Sequence, residues 1–139
     1  MNRGILMRPF IVYDSMTGNV KRFVSKLGYE SVQIQEGLLV DKPFILVTYT
    51  IGYGEIPKST MEFLKRSSIF LLGVASSGNK NWGANFAKAG NRVSALYGKP
   101  LIHTFELSGT EKDVDIFKQE VERLCQQASQ NGYNITTKS

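Results

Sequence analysis

Three stretches of this chain are apolar throughout and too short to be helices: Phe10-Ile11-Val12-Tyr13, Phe44-Ile45-Leu46-Val47 and Leu71-Leu72-Gly73-Val74-Ala75. A strand made of such a run has no polar side to turn to water, so it must be covered on both faces. The intervening segments have a helical period instead. Val20, Phe23, Val24 and Leu27 fall at i, i+3, i+4 and i+7, and Gly28 is a natural stop. Phe86, Gly90, Val93 and Tyr97 form a second inward stripe, and Val114, Phe117, Val121 and Leu124 a third. Two more strands complete the pattern: Ser31-Val32-Gln33-Ile34, which alternates and suits a more exposed position, and Leu101-Ile102-His103-Thr104-Phe105. Ser59 and Glu62 have capping-box spacing after Pro57 and predict a short helix bearing Met61 and Leu64; Thr110 and Asp113 predict another helix start.

Buried strands alternating with amphipathic helices predict an α/β fold: a parallel sheet with helices on both faces. The chain has 139 residues, enough for one core and too few for a (β/α)₈ barrel. A single domain is expected over residues 9–128. Residues 1–8 and 129–139 are expected to be tails, since no apolar period survives there.

Composition narrows the function. One cysteine, Cys125, and one histidine, His103, exclude an internal disulfide framework and any multi-Cys or multi-His metal centre. No apolar run approaches a membrane span, and no leader pattern is visible. A cytoplasmic location, with no membrane partner and no metal, is expected. Lys and Arg total 17 against 12 Asp and Glu, a net charge of +5. That balance favours anionic ligands. The basic residues are dispersed, with no stripe of the kind that binds nucleic acid, so none is expected as a partner.

In a parallel sheet of this kind ligands bind beyond the carboxyl ends of the strands. The first strand runs into Asp14-Ser15-Met16-Thr17-Gly18-Asn19 and then directly into a helix. Successive backbone N–H groups there cradle an anion; Ser15, Thr17 and Asn19 add side-chain donors, and Gly18 permits close backbone approach. There is no Walker lysine and no G-x-G-x-x-G, so a phosphate monoester fits better than a nucleoside triphosphate or dinucleotide. An ordinary turn with an N-cap uses the same residue types. Two further strands lead into Thr48-Tyr49-Thr50-Ile51-Gly52-Tyr53-Gly54-Glu55 and Ser76-Ser77-Gly78-Asn79-Lys80-Asn81-Trp82-Gly83. Both loops carry aromatic residues flanked by glycine, and both suit a planar ring gripped by aromatic faces and amides. A phosphate loop together with two ring loops points to flavin mononucleotide, FMN.

Ser15-Met16-Thr17-Gly18-Asn19 resembles the phosphate loop of flavodoxins, with Val20 where the usual pattern has Thr. Ala75 to Gly83, Asn85-Phe86-Ala87-Lys88-Ala89-Gly90 and Phe105-Glu106-Leu107-Ser108-Gly109-Thr110 resemble the NrdI family. These are flavodoxin-like partners of class Ib ribonucleotide reductase. The likeness runs from about Pro9 to Leu124. The chain departs from ordinary flavodoxins in being shorter, and basic where they are usually acidic. The resemblance implies a flavodoxin-like, five-stranded parallel sheet of order 2-1-3-4-5. It implies bound FMN, with Ser15, Met16, Thr17, Gly18 and Asn19 at the phosphate. Tyr49, Thr50, Gly52, Tyr53 and Gly54 would line one side of the ring, and Ser77, Gly78, Asn79, Trp82 and Gly83 the other. It further implies that the reduced protein reacts with O₂ and supplies oxidant to the dimanganese site of the reductase small subunit, where a tyrosyl radical forms.

With the chemistry carried by the flavin, no acid, base or nucleophile is required of the protein, which would be a redox accessory rather than a turnover enzyme. His103 reads as a packed strand residue and Cys125 as core filler. Glu55 reads by default as a solvated loop residue, the alternative being that it tunes the flavin or touches the partner. The chain has no dinucleotide fingerprint, so an external electron donor is expected. Two alternatives remain at this level: a general flavodoxin-type electron carrier, and a non-redox module of CheY-like topology. The second lacks the acidic cluster that would hold Mg²⁺.

Overall fold

The computed structural model describes residues 7–130. The described residues form five strands, β1 (Phe10–Tyr13), β2 (Glu30–Gln33), β3 (Phe44–Tyr49), β4 (Leu71–Gly78) and β5 (Leu101–Glu106), and four α-helices, one after each strand except β2. The helices are α1 (Asn19–Ser25), α2 (Lys58–Ser67), α3 (Lys88–Tyr97) and α4 (Glu111–Gln130). All strand pairs are parallel and the order is β2-β1-β3-β4-β5, as the resemblance implied.

The two-residue period of each strand divides the core into two halves. Ile11, Ile45, Val47 and Ala75 pack with Val20, Phe23, Phe117 and Val121 of α1 and α4. Phe10, Val12, Leu46 and Val74 pack with Phe63, Leu64 and Val93 of α2 and α3. Phe23 anchors the first half, stacked on Phe105 with ring centroids 3.9 Å apart and edge-on to Phe117 at 5.4 Å. Such aromatic pairs add about 0.5–1.5 kcal/mol each beyond simple burial.

Several expectations are corrected. β3 and β4 run two and three residues beyond their apolar cores, through Tyr49 and Gly78. Thr48 and Ser76 are fully buried, and they remain in the sheet because their hydroxyls find partners: Thr60 Oγ1 at 2.8 Å for Thr48, and the Ala87 carbonyl at 2.6 Å for Ser76. The Ser59–Glu62 capping box does not form. α2 begins at Lys58 without a side-chain cap, and the Ser59 hydroxyl donates instead to Asp14 Oδ2 at 2.5 Å. Phe86 lies outside its predicted helix: it follows a 3₁₀ turn at Lys80–Asn85, and the left-handed backbone of Ala87 delays α3 to Lys88. The α4 stripe passes through Cys125 rather than Leu124, which is half-buried beside it. Cys125 is core filler; burial, reinforced by Glu122, pushes its thiol up to about 11. The ordered core also passes the 9–128 boundary at both ends. Met7 is buried and its N–H donates to Ser129 Oγ at 2.8 Å. The remaining tail positions, 1–6 and 131–139, lie outside the described residues. No described helix is long and apolar enough to cross a membrane.

α4 starts where Thr110 and Asp113 predicted a helix start, and the two residues cap it reciprocally. Asp113 accepts from the Thr110 N–H at 2.8 Å, and Thr110 Oγ1 accepts from the Asp113 N–H at 3.2 Å. The other Asp113 oxygen meets His103 Nε2 at 2.8 Å, so the half-buried His103 ties β5 to α4. Burial raises the Asp113 carboxyl, but the hydrogen bonds from His103 and Thr110 outweigh it and leave the net shift downward from 3.8. A depressed carboxyl stabilises the fold above its unfolded value and loses that contribution as pH falls through the folded one. Asp113→Ala should therefore cost about 0.5–2 kcal/mol at neutral pH. The gap from wild type should narrow as pH drops below the ordinary aspartate value, in urea melts across that range.

Candidate functional site

The carboxyl ends of β1, β3, β4 and β5 surround a cavity of about 380 Å³. It opens where the strand order reverses, between β1 and β3, the place a doubly wound sheet offers a ligand. Ser15, Met16, Thr17 and Asn19 line one end. Tyr49, Thr50 and Gly52 form one wall, and Ser77, Gly78, Asn79 and Trp82 the opposite wall.

At the β1–α1 turn the chain folds around Gly18, whose φ of 92° is a left-handed conformation suited to glycine. Among the described residues the backbone N–H groups of residues 16–20 make no hydrogen bond. Five successive free donors in one turn are an arrangement suited to an anion. Its shape is held from outside. Asn19 Oδ1 accepts from Arg22 Nη2 at 2.7 Å and from Ser108 Oγ at 2.8 Å. Lys26 Nζ donates to the Ser108 and Gly109 carbonyls, both at 3.1 Å. The β1–α1 turn and α1 are thus joined to the β5–α4 loop.

The wall after β3 is a tight turn closed by paired bonds between Ile51 and Glu55, at 3.0 and 2.8 Å. Gly52 and Gly54 both have positive φ, and Tyr53 is left at the tip, 71% exposed. The Tyr53 ring meets Trp82 of the opposite wall edge-on, with centroids 5.6 Å apart. Beneath this wall Asp14 is buried, and Oδ2 accepts from Ser59 and Thr60 at 2.5 and 2.7 Å. Burial, and then the nearby Asp14 charge, raise the Tyr49 phenol against the opposing hydrogen bond with Ser59.

Of the residues singled out from sequence, Gly18, Tyr53, Gly54 and Gly83 do not line the cavity. Gly18 shapes the turn and Tyr53 stands at the rim. Gly54 lets its loop approach α3, where a Cβ would come 3.0 Å from Lys88 Cβ. Gly83 (φ 56°) forms the kink in the 3₁₀ segment. Four lining residues escaped the sequence reading: Val20, Asn85, Ala87 and Leu107. Leu107 follows a strand and was findable by the strand-end rule. Ala87 enters through a left-handed backbone that nothing in its residue type signals.

A parallel 2-1-3-4-5 sheet with its cavity at the β1/β3 switch point defines a flavodoxin-like protein. Oxidised flavodoxin 1 from Bacillus cereus superposes with a TM-score of 0.61 at 17% identity, covering 84% of this chain and 96% of that one. A Fusobacterium nucleatum flavodoxin bound to flavin mononucleotide gives 0.53 at 16% identity, covering 90% and 99%. Residues 11–119 match the family described as NrdI, flavodoxin like, and the protein NrdI of Bacillus licheniformis is 52% identical over 122 residues, 86% of this chain and 92% of that protein. The chain belongs to the NrdI flavodoxin-like family.

Proposed function

We propose that this protein binds FMN and, when reduced, supplies an oxidant made from O₂ to the dimanganese small subunit of a class Ib ribonucleotide reductase, so that its tyrosyl radical forms. The observation that carries the cofactor assignment is the cradle of five free amides at one end of a cavity walled by two aromatic-bearing loops. Family membership supports the choice of partner.

The residues fit the cofactor. Ser15, Thr17 and Asn19, with the free amides of residues 16–20, would hold the phosphate. Tyr49, Thr50 and Gly52 would bear on one side of the ring system, and Ser77, Gly78, Asn79 and Trp82 on the other. Tyr53 would close the rim through its contact with Trp82. Bound flavin supplies two-electron reduction and reaction with O₂. The two loops would orient the ring and limit water at its faces, beside the surface a partner would meet. Met16, Tyr53, Trp82 and Leu107 are exposed large apolar groups, the composition expected of a docking rim. The electrons would come from a separate donor.

The decisive experiment mixes reduced protein, O₂ and manganese-loaded small subunit and looks for a tyrosyl radical by electron paramagnetic resonance. A radical well above that of the subunit with O₂ alone is expected. Its absence, despite confirmed flavin reduction and complex formation, would favour a general electron carrier.

Trp82 offers a simpler probe, being the only tryptophan. Its fluorescence should be quenched when FMN is added to apoprotein. Trp82→Ala should weaken FMN by about 0.5–1.5 kcal/mol and alter the bound-flavin spectrum. Full affinity with an unchanged spectrum would make Trp82 a loop anchor only.

A further inference from the structure

Ala87 and Leu107 are the only non-glycine residues with positive φ among the described residues, at 53° and 54°. Both line the cavity, on different loops. A side chain in the left-handed region is strained and persists only where its surroundings hold it. The holding groups are adjacent residues of β4. Ser76 Oγ donates to the Ala87 carbonyl and Ser77 Oγ to the Leu107 carbonyl, each at 2.6 Å. Neighbouring strand residues point to opposite faces, so one serine reaches the α3 side and the other the α4 side. Ser76 and Ser77 are 0% and 3% exposed. Each clamp has a second tie: Ser76 Oγ accepts from the Gly90 N–H at 2.9 Å, and the Leu107 N–H donates to the Gly78 carbonyl at 2.9 Å.

We propose that Ser76 and Ser77 are positioning residues, a paired clamp that holds Ala87 and Leu107 in the left-handed conformation and thereby sets two walls of the cavity before the ligand arrives. The Ser77 hydroxyl is spent on Leu107 and has no proton left for the flavin. Ser76 does not line the cavity and acts wholly through Ala87 and the α3 start. The consequence for FMN rests on the cofactor reading above; the clamp itself does not.

The test is a double-mutant cycle. Glycine adopts positive φ without strain, so Leu107→Gly removes the need for the clamp. Ser77→Ala alone should raise the FMN dissociation constant about tenfold, equivalent to ~1.4 kcal/mol, and shift the bound-flavin absorption. In the Leu107→Gly background the same change should cost less than about threefold, since the two sites are coupled. Urea midpoints of the four apoproteins should show the same pattern: a larger loss from Ser77→Ala beside Leu107 than beside the glycine. Equal losses in both backgrounds, in affinity and in apoprotein stability, would overturn the clamp. Coupling in stability with no FMN binding by the wild type would uphold the clamp and overturn the cofactor reading. Should Ser77→Ala not fold, the parallel cycle of Ser76→Ala with Ala87→Gly decides, with the same expected coupling.

Discussion

Riboflavin should bind this protein at least about a hundredfold more weakly than FMN. The two ligands differ only in the phosphate, and five amides of residues 16–20 stand free in one turn to receive it. A hydrogen bond to a charged group contributes about 1.5–3 kcal/mol, so two such bonds already amount to a factor of about 10² to 10⁴. Thr17→Val should cost FMN about 1.5–3 kcal/mol, the strength of one such bond, and leave riboflavin unchanged, because on the proposed reading only the phosphate would meet that hydroxyl. Calorimetric titration of both ligands against both proteins separates these effects. Equal affinity of the wild type for riboflavin and FMN would remove the phosphate from the turn and with it the basis of the cofactor assignment.

The second large effect is expected at Gly78. A Cβ there would lie 2.4 Å from the Ala87 backbone nitrogen and 2.7 Å from its Cα. Those are main-chain atoms, so no rotamer change relieves the overlap, and either β4 or the start of α3 must move. Overpacking of this kind costs about 1–3 kcal/mol. The displacement falls on the cavity wall, so Gly78→Ala should lose most FMN affinity as well as stability. Gly83→Ala is the internal control. It sits in the 3₁₀ turn that follows β4, with φ 56°, and nothing lies within 4 Å of its Cβ position. With ψ at −121° this backbone favours glycine, so the alanine should cost about 1–3 kcal/mol of backbone strain with a much smaller loss of affinity. Thermal melts should show a loss of stability in both variants, and FMN titrations should separate them; equal losses of affinity would mean that the close approach at Gly78 does not set the wall.

Both predictions concern backbone groups, which is where sequence reading was weakest. The three apolar runs identified β1, β3 and β4, because a strand buried on both faces has no polar residue to spare. They ended β3 and β4 too early for the same reason: Thr48, Ser76 and Ser77 look like loop residues until their hydroxyl partners are known. Those partners lie 11 to 30 residues away. Ser59 shows the converse error. Local spacing offered it a cap, and tertiary structure gave its hydroxyl to the buried carboxylate of Asp14, 45 residues distant.

The distribution of apolar residues thus determined the parallel α/β architecture, since burying strands on both faces leaves few arrangements for a chain this short. The turn chemistry of residues 15–19 and the glycine-flanked aromatics also marked three of the loops around the cavity, because strand ends are where such a sheet exposes its backbone. Tertiary structure alone decided which members of those loops line it. Gly18 and Gly54 went to backbone geometry and Tyr53 to the rim, while Ala87 and Leu107 came in through positive φ. The physical reason is that a left-handed alanine or leucine is unfavourable by itself. It is held by hydrogen bonds from distant residues, and an energy that depends on a distant partner leaves no trace in local sequence.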